Sequence, residues 1–214
     1  MTIVELENVS KSYGDKNVLN NLSFKIEEGT FNVIMGASGS GKSTILNIIG
    51  LLDKATSGDV ILFGQKNIRP FSMKAEQMLK NKIGYLFQNF ALIENETVAN
   101  NLKLALENVR GNKKEKISAA LKEVGLEGYE NKKIFKCSGG EQQRVAIARL
   151  LLKPCELILA DEPTGSLDIK NREIVVKLLK NMQEQGKTII IVSHDSFFEA
   201  IADNVIDLSN DVSR

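Results

Sequence analysis

The stretch Gly36–Thr44, read as Gly-Ala-Ser-Gly-Ser-Gly-Lys-Ser-Thr, limits the fold more than any other part of this chain. It fits the spacing G-x-x-x-x-G-K-[ST], with Gly36, Gly41, Lys42 and Ser43 at the fixed positions. Binding a phosphate takes several N–H donors aimed at one point. Glycines let the backbone wrap an anion without Cβ clashes. A helix that starts here adds its free N–H groups and the positive end of its dipole. Lys42 brings a full charge for β- and γ-phosphates, and the Ser43 hydroxyl suits Mg²⁺, which prefers oxygen ligands. Ahead of the loop, Phe31–Met35 reads as a buried strand. After it, Ile45, Leu46, Ile48, Ile49 and Leu52 stand at helical spacing. Strand, glycine loop and helix in that order require an α/β core.

The remaining chain fits around that unit. Thr2–Val9 alternates apolar and polar residues like a half-buried strand, Tyr13-Gly-Asp turns the chain, and Val18–Ile26 returns. An antiparallel β layer therefore leads into the core. Ser57–Phe63 and Ile83–Phe87 read as strands, and Ser72–Lys82 as a helix. From Phe90 to Lys136 the β-branched runs stop. Val98, Leu102, Ala105, Leu106 and Val109 share one helical face behind Thr97 as N-cap. Ile117, Ala120, Leu121 and Val124 share another, closed by Gly125. Ser138 and Glu141 have capping-box spacing and open a helix that Pro154 ends. Glu156–Ala160 is an apolar run, Ile169–Gln185 a helix, and Thr188–Val192 an all-apolar strand suited to a parallel sheet covered on both faces. Val205–Leu208 reads as a last edge strand.

Four positions add chemistry to the phosphate loop. Asp161 follows Leu157-Ile-Leu-Ala160, which puts a carboxylate at the C-terminal end of a buried strand, the edge where open α/β sheets bind ligands. It is the expected Mg²⁺ holder. Glu162 comes next, points elsewhere, and is placed to deprotonate an attacking water. Gln88 ends an apolar strand, where an amide can contact Mg²⁺ and its water. His194, the only histidine, follows the Thr188–Val192 strand in Val-Ser-His-Asp, within reach of a γ-phosphate.

Composition excludes several other readings. The 214 residues are 43% hydrophobic and 26% charged, enough for a sizeable core. With 28 basic and 27 acidic residues, the net charge of +1 gives no support for a nucleic-acid or acidic-lipid partner. No run reaches 18 apolar residues, and the N-terminus lacks the features of a signal peptide. Cys137 and Cys155 make neither a disulfide framework nor a zinc set, so a reducing compartment is expected.

At Cys137–Arg144, Cys-Ser-Gly-Gly-Glu-Gln-Gln-Arg, the chain resembles the signature motif of the ATP-binding cassette (ABC) ATPases, usually Leu-Ser-Gly-Gly-Gln or -Glu. The other marks of that family stand in the family's order: Tyr13, the phosphate loop, Gln88, the signature, Leu157–Pro163, Gly165-Ser-Leu-Asp168 and His194. The resemblance covers essentially the whole chain. It implies a phosphate-loop NTPase with ABC architecture: a mostly parallel core sheet flanked by helices, an antiparallel β subdomain and an inserted helical subdomain. Residues 1–214 form one cassette, with 1–89 and 153–214 as α/β core and β layer, and 90–152 as the helical signature subdomain. By the same resemblance Tyr13 stacks on adenine. Gly36, Ser38, Gly39, Ser40, Gly41, Lys42, Ser43 and Thr44 hold the phosphates of ATP and its Mg²⁺. Gln88 senses Mg²⁺ and the transport partner, Asp161 supports the metal, Glu162 is the general base, and His194 meets the γ-phosphate. The family works as a head-to-tail dimer, so Ser138, Gly140 and Glu141 complete the nucleotide site of the other subunit, and Asp168 links the two sites. Cys137 departs from the usual leucine, and as a smaller apolar residue it implies modest loosening.

Gly50-Leu-Leu-Asp53, Thr56-Ser-Gly58, Ala91–Val98 and Thr164–Asp168 further resemble the cassettes of lipoprotein release, macrolide efflux, cell division and bacteriocin or peptide export. The expectation is an ATPase at the cytoplasmic face of the membrane that drives a separate integral-membrane permease, with a membrane-fusion or adaptor protein as a further partner. Phe87, Phe90, Leu92 and Ile93 are expected to line the groove that receives the permease. The short stretch after His194 leaves no room for the C-terminal regulatory domain of many importer ATPases, which leans the reading to export. A cell-division-type cassette, which moves a membrane partner and transports nothing, is the alternative.

Overall fold

The computed structural model describes residues 1–107, 109–165 and 167–208. Its strands form two sheets. One is antiparallel, in the order β2-β1-β4-β5, from β1 (Thr2–Tyr13), β2 (Lys16–Glu27), β4 (Ser57–Leu62) and β5 (Gln65–Lys66). The other has the order β6-β7-β8-β3-β9, from β3 (Phe31–Met35), β6 (Ile83–Leu86), β7 (Leu157–Asp161), β8 (Thr188–Val192) and β9 (Asn204–Asp207). Each of its pairings is parallel. The first hairpin is longer than the alternation predicts. Pairing continues to Tyr13 opposite Lys16, past register shifts between Leu6 and Lys11 that break the two-residue period.

The apolar strands of the parallel sheet have both faces covered. Successive side chains alternate faces, so Phe31, Val33, Ile158, Ala160, Ile189 and Ile191 belong to one core cluster. Ile34, Leu157, Leu159, Ile190 and Val192 belong to the other. The second cluster takes in α1 (Lys42–Ile49), α2 (Met73–Asn81) and the antiparallel sheet. The first takes in α3 (Val98–Lys103), α4 (Lys113–Glu123), α5 (Gly139–Leu152) and α6 (Ile169–Glu184). It runs without a break from β3, β7 and β8 into the helical segment.

The edge strand β9 is pinned by polar side chains at its start. Asn204 donates to the Oδ1 of Asn32, which is fully buried in β3 (2.9 Å), and the Phe31 N–H donates to Asp203 (2.7 Å). The helix expected from Val98 to Val109 is shorter. α3 ends at Lys103 and tightens into a 3-10 turn over Leu104–Leu106, so Leu106 stays buried and Val109 packs from beyond the helix. Asn108, inside that expected run, lies outside the described residues. Thr97 caps α3 as expected, accepting from the Asn100 N–H. Backbone bonds from Val98 and Ala99 to Lys132 and Glu130, and from Ile134 and Phe135 to Glu96 and Glu94, tie the segment before α3 to the segment before α5.

Candidate functional site

The parallel sheet delivers the ends of β3, β6, β7 and β8 to one edge. There a cleft of about 710 Å³ is lined by Ser38, Gly39, Gly41, Lys42, Ser43, Thr44, Gln88, Asp161, Glu162 and His194, with Lys16, Val18 and Gly165. Lys16 and Val18 are absent from the sequence-based set. Both sit on β2, which the antiparallel sheet carries to the rim of the cleft. Their only local signal was proximity to Tyr13.

The loop between β3 and α1 is shaped by its glycines. Gly41 has φ +93°, and a Cβ there would stand 2.6 Å from Leu19. At Gly36 a Cβ would stand 2.6 Å from the Ser40 hydroxyl. That hydroxyl is buried and has no partner. Lys42 is buried, and its ammonium donates to the carbonyls of Gly36 (2.7 Å) and Ala37 (2.9 Å). The first turn of α1 has no side-chain cap and no acidic residue, so its N–H groups remain available to an anion.

Ser43 donates to the Asp161 carboxylate (3.2 Å). Burial raises the Asp161 pKa, and neighbouring Glu162 pushes the same way. A carboxylate, a hydroxyl and the nearby Gln88 amide form a hard-oxygen set that fits Mg²⁺. Among the described residues no cluster of three His, Cys, Asp or Glu side chains could hold a metal, so these three fit a cation shared with a phosphate ligand.

Glu162 departs from the strand. Its φ is +43°, the left-handed region that ordinary residues rarely occupy. The turn sends its carboxylate away from Asp161 and toward the end of β8. There it accepts from the Ser193 hydroxyl (3.1 Å) and meets His194 Nδ1 (2.9 Å). Ser193 is fully buried and also accepts from the Asp195 N–H. The carboxylate is thus held at two oxygens while remaining on the cleft wall.

Tyr13 lies outside the cleft lining. Its hydroxyl donates to Asp53, which raises the phenol pKa. The Lys11 ammonium sits 4.5 Å from its ring centroid and also bonds Asp53 (2.7 Å). The ring is half exposed. Lys11 and Asp53 are two further positions absent from the sequence-based set; Lys11 stands two residues before Tyr13 on β1, and Asp53 comes from the turn after α1.

The signature residues stand elsewhere. Ser138 caps α5, and the capping box with Glu141 is complete. Ser138 and Gly140 do not line the cleft; the N-terminus of α5 packs on that of α6. A Cβ on Gly140 would stand 2.6 Å from the Asn171 amide, and Asp168 caps α6 by accepting from the Asn171 N–H (2.8 Å). Glu141 differs from the expectation of a nucleotide contact. Its carboxylate accepts from Tyr129 (2.8 Å), Lys132 (2.9 Å) and the Ser138 N–H (2.8 Å). Burial works to raise its pKa, but these three donors and the Lys132 charge hold it at about 2. Its oxygens are engaged inside the chain. Cys137 is buried, and burial raises its thiol pKa. Ser166, in the Gly165–Asp168 motif, lies outside the described residues.

The groove expected at Phe87, Phe90, Leu92 and Ile93 is mostly turned inward. Phe87 stacks on Tyr85 at 4.1 Å, and Phe90 and Leu92 pack against the core. Only Ile93 of the four is largely exposed, whereas Phe71 (81%) and Met73 (79%) stand free beside a separate cleft at Leu52, Arg69 and Pro70.

A phosphate loop ahead of a helix, with a paired carboxylate on a parallel sheet edge, defines a phosphate-loop nucleoside triphosphatase, here with a helical segment inserted before β7. Residues 19–165 match the family ABC_tran, described as ABC transporter; the chain belongs to that family and is an ATPase. It is 40% identical over 217 residues to the macrolide export ATP-binding/permease protein MacB of Mannheimia succiniciproducens, covering 98% of this chain and 34% of that protein. It is 42% identical over 198 residues to the spermidine/putrescine import ATP-binding protein PotA of Mycoplasma capricolum, covering 90% of this chain and 54% of that one. The chain thus spans about a third to a half of the length of these relatives. Among solved structures, the dimeric post-hydrolysis state of the ATP-binding cassette MJ0796 with ADP and Pi superposes with a TM-score of 0.88 at 40% identity, covering 97% of this chain and 95% of that one. No described helix is long and apolar enough to cross a membrane.

Proposed function

We propose that the chain is the ATP-hydrolysing subunit of an exporter, working as a head-to-tail dimer on a separate membrane permease. The observation that carries this is the split arrangement of the site. Lys42, Ser43, Gln88, Asp161, Glu162 and His194 share one cleft, while the capped Ser138–Gly140 end of α5 stands outside it. A second copy turned end for end brings that end over the cleft.

In the closed dimer Lys42 turns from its own loop carbonyls to the β- and γ-phosphates, and the α1 N–H groups hold the phosphate chain. Ser43, Gln88 and Asp161 are the residues that would hold Mg²⁺, whose chemistry here is to neutralise phosphate charge. Glu162 takes the proton of the attacking water. His194, against Glu162, orients that carboxylate and reaches the γ-phosphate. Tyr13, fixed through Asp53, offers its ring to the base. Similarity to MacB over nearly the whole chain supports export; similarity to PotA supports import as the second reading.

Glu162→Gln is expected to lower hydrolysis by about 10²–10⁴-fold, keep ATP binding, and trap a dimer with Mg-ATP that gel filtration resolves. Near-normal turnover removes Glu162 as the base. A trapped chain that stays monomeric in ATP removes the split-site reading. Co-purification of the trapped form from native membranes separates the transport readings. A multi-span permease with a large extracytoplasmic domain supports export, and a permease paired with a solute receptor supports import.

A further inference from the structure

Arg149 lies near the far end of α5, eleven residues or about 16 Å from Ser138. It is half-buried, its pKa is lowered by burial, and no ion-pair partner stands beside it among the described residues. Its guanidinium instead donates to two successive carbonyls, those of Phe90 (2.8 Å) and Ala91 (2.6 Å). Those two residues are left-handed, with φ +63° and +47°, and neither is glycine. Consecutive carbonyls point opposite ways in an extended chain. Two successive left-handed residues bring them to one side, where the fixed fork of a guanidinium can take both.

Immediately upstream, the Phe90 N–H bonds the Phe87 carbonyl (2.9 Å) and the Ala91 N–H bonds the Asn89 carbonyl (2.7 Å). Gln88 sits inside the turn so closed. Those two local bonds use the N–H groups of residues 90 and 91; their carbonyls are held from α5. The same helix also reaches the other side of the cleft, where buried Gln143 donates to the Pro163 carbonyl next to Glu162 (2.7 Å).

We propose that Arg149 is a positioning residue for Gln88: its two bonds hold the Phe90–Ala91 turn left-handed, so that the helix presenting Ser138 to a second copy also sets the Gln88 amide in its own cleft. This rests on the proposed reading of Gln88 as a contact of the phosphate–metal site. Lysine keeps the charge but offers one nitrogen in place of the rigid two-nitrogen fork, so it holds the two carbonyls less firmly in this geometry. Glycine at 91 adopts the left-handed turn without help. The geometry therefore predicts a defect in one variant and its repair in another.

The test measures steady-state ATPase, its Mg²⁺ dependence, and ATP affinity without Mg²⁺ for the full chain. The variants are Gln88→Ala, Arg149→Lys, their double, and Arg149→Lys with Ala91→Gly. Wild-type turnover together with a defect in Gln88→Ala establishes the underlying reading; absence of either fails that reading and not the role of Arg149. Given both, Arg149→Lys is expected to lower kcat about 10- to 100-fold and raise the Mg²⁺ needed for half activity, with metal-free ATP affinity unchanged. The double with Gln88→Ala should be no worse than Gln88→Ala alone, and Ala91→Gly should restore at least half the lost kcat. Normal turnover in Arg149→Lys, additive loss with Gln88→Ala, or no repair by Ala91→Gly overturns the proposal. Should Arg149→Lys fail to fold by its melting curve, Ala91→Pro breaks the turn from the other side. It is expected to give the same kcat and Mg²⁺ defect, and normal values in it overturn the proposal equally.

Discussion

The N-termini of α1 and α5 use the same short residues and are finished in opposite ways. At α1 the cap is a glycine, the first turn has no acid, the Ser40 hydroxyl is unpartnered, and Lys42 rests on carbonyls of its own loop. At α5 the capping box is closed, and Glu141 is secured by Tyr129 and Lys132. A helix end left incomplete gains most from an arriving anion, because unsatisfied donors and an uncompensated dipole are both answered at once. A helix end already satisfied gains less and is better at holding a shape. In the proposed dimer the two ends would therefore divide the work: α1 would supply affinity for phosphate, and α5 a rigid surface for a second copy.

The largest effect should separate them directly. Lys42→Ala is expected to weaken ATP binding to the isolated chain about 10- to 100-fold, the worth of a hydrogen-bonded charge. Ser138→Ala should leave that affinity nearly unchanged while impairing ATP-driven dimerisation. Calorimetric titration below the dimerisation range checks both, and equal losses in the two variants would break the division. A smaller effect lies at the α5–α6 contact. Gly140→Ala drives a methyl into Asn171, which bonds both Arg144 and Asp168. It should cost about 1–3 kcal/mol in denaturant unfolding without altering ATP affinity in the monomer.

The smallest effect sharpens the comparison through pH. The folded Glu141 pKa of about 2 lies below its ordinary 4.5. The stability it contributes is present above pH 4.5 and is lost as pH falls toward 2. Glu141→Gln should lower stability by about 1 kcal/mol at neutral pH. Melting curves of the two forms should converge as pH drops through that window. A gap that stays constant across it would remove the carboxylate as the source.

The phosphate loop was legible because its requirements are local: glycines where a Cβ cannot fit, a lysine, and a hydroxyl within nine residues. The parallel sheet was legible because strands covered on both faces must be apolar throughout. The capping box at Ser138 and Glu141 followed from a three-residue spacing. What stayed hidden depends on distant partners. Tyr13 meets Asp53 across 40 positions, and Ala91 meets Arg149 across 58. Nothing at Phe90, Ala91 or Glu162 signals a left-handed backbone, since these residues ordinarily avoid it. The motif gives no sign that Tyr129 and Lys132 bond the Glu141 carboxylate, because both lie outside its eight residues.

The unbroken apolar cluster between the sheet and α3, α4 and α5 has a bearing on how this chain can be taken apart. A boundary drawn at residues 90 and 152 follows the change in secondary structure but cuts through the packing. Leu86, Ile158 and Ile191 share that cluster with Leu102, Leu121 and Ile147. Grafting the helical segment onto another cassette therefore transplants half of an interface, and a chimera needs the sheet-side residues of the donor as well. The transferable unit is defined by who touches whom, and in this molecule it crosses the cut twice.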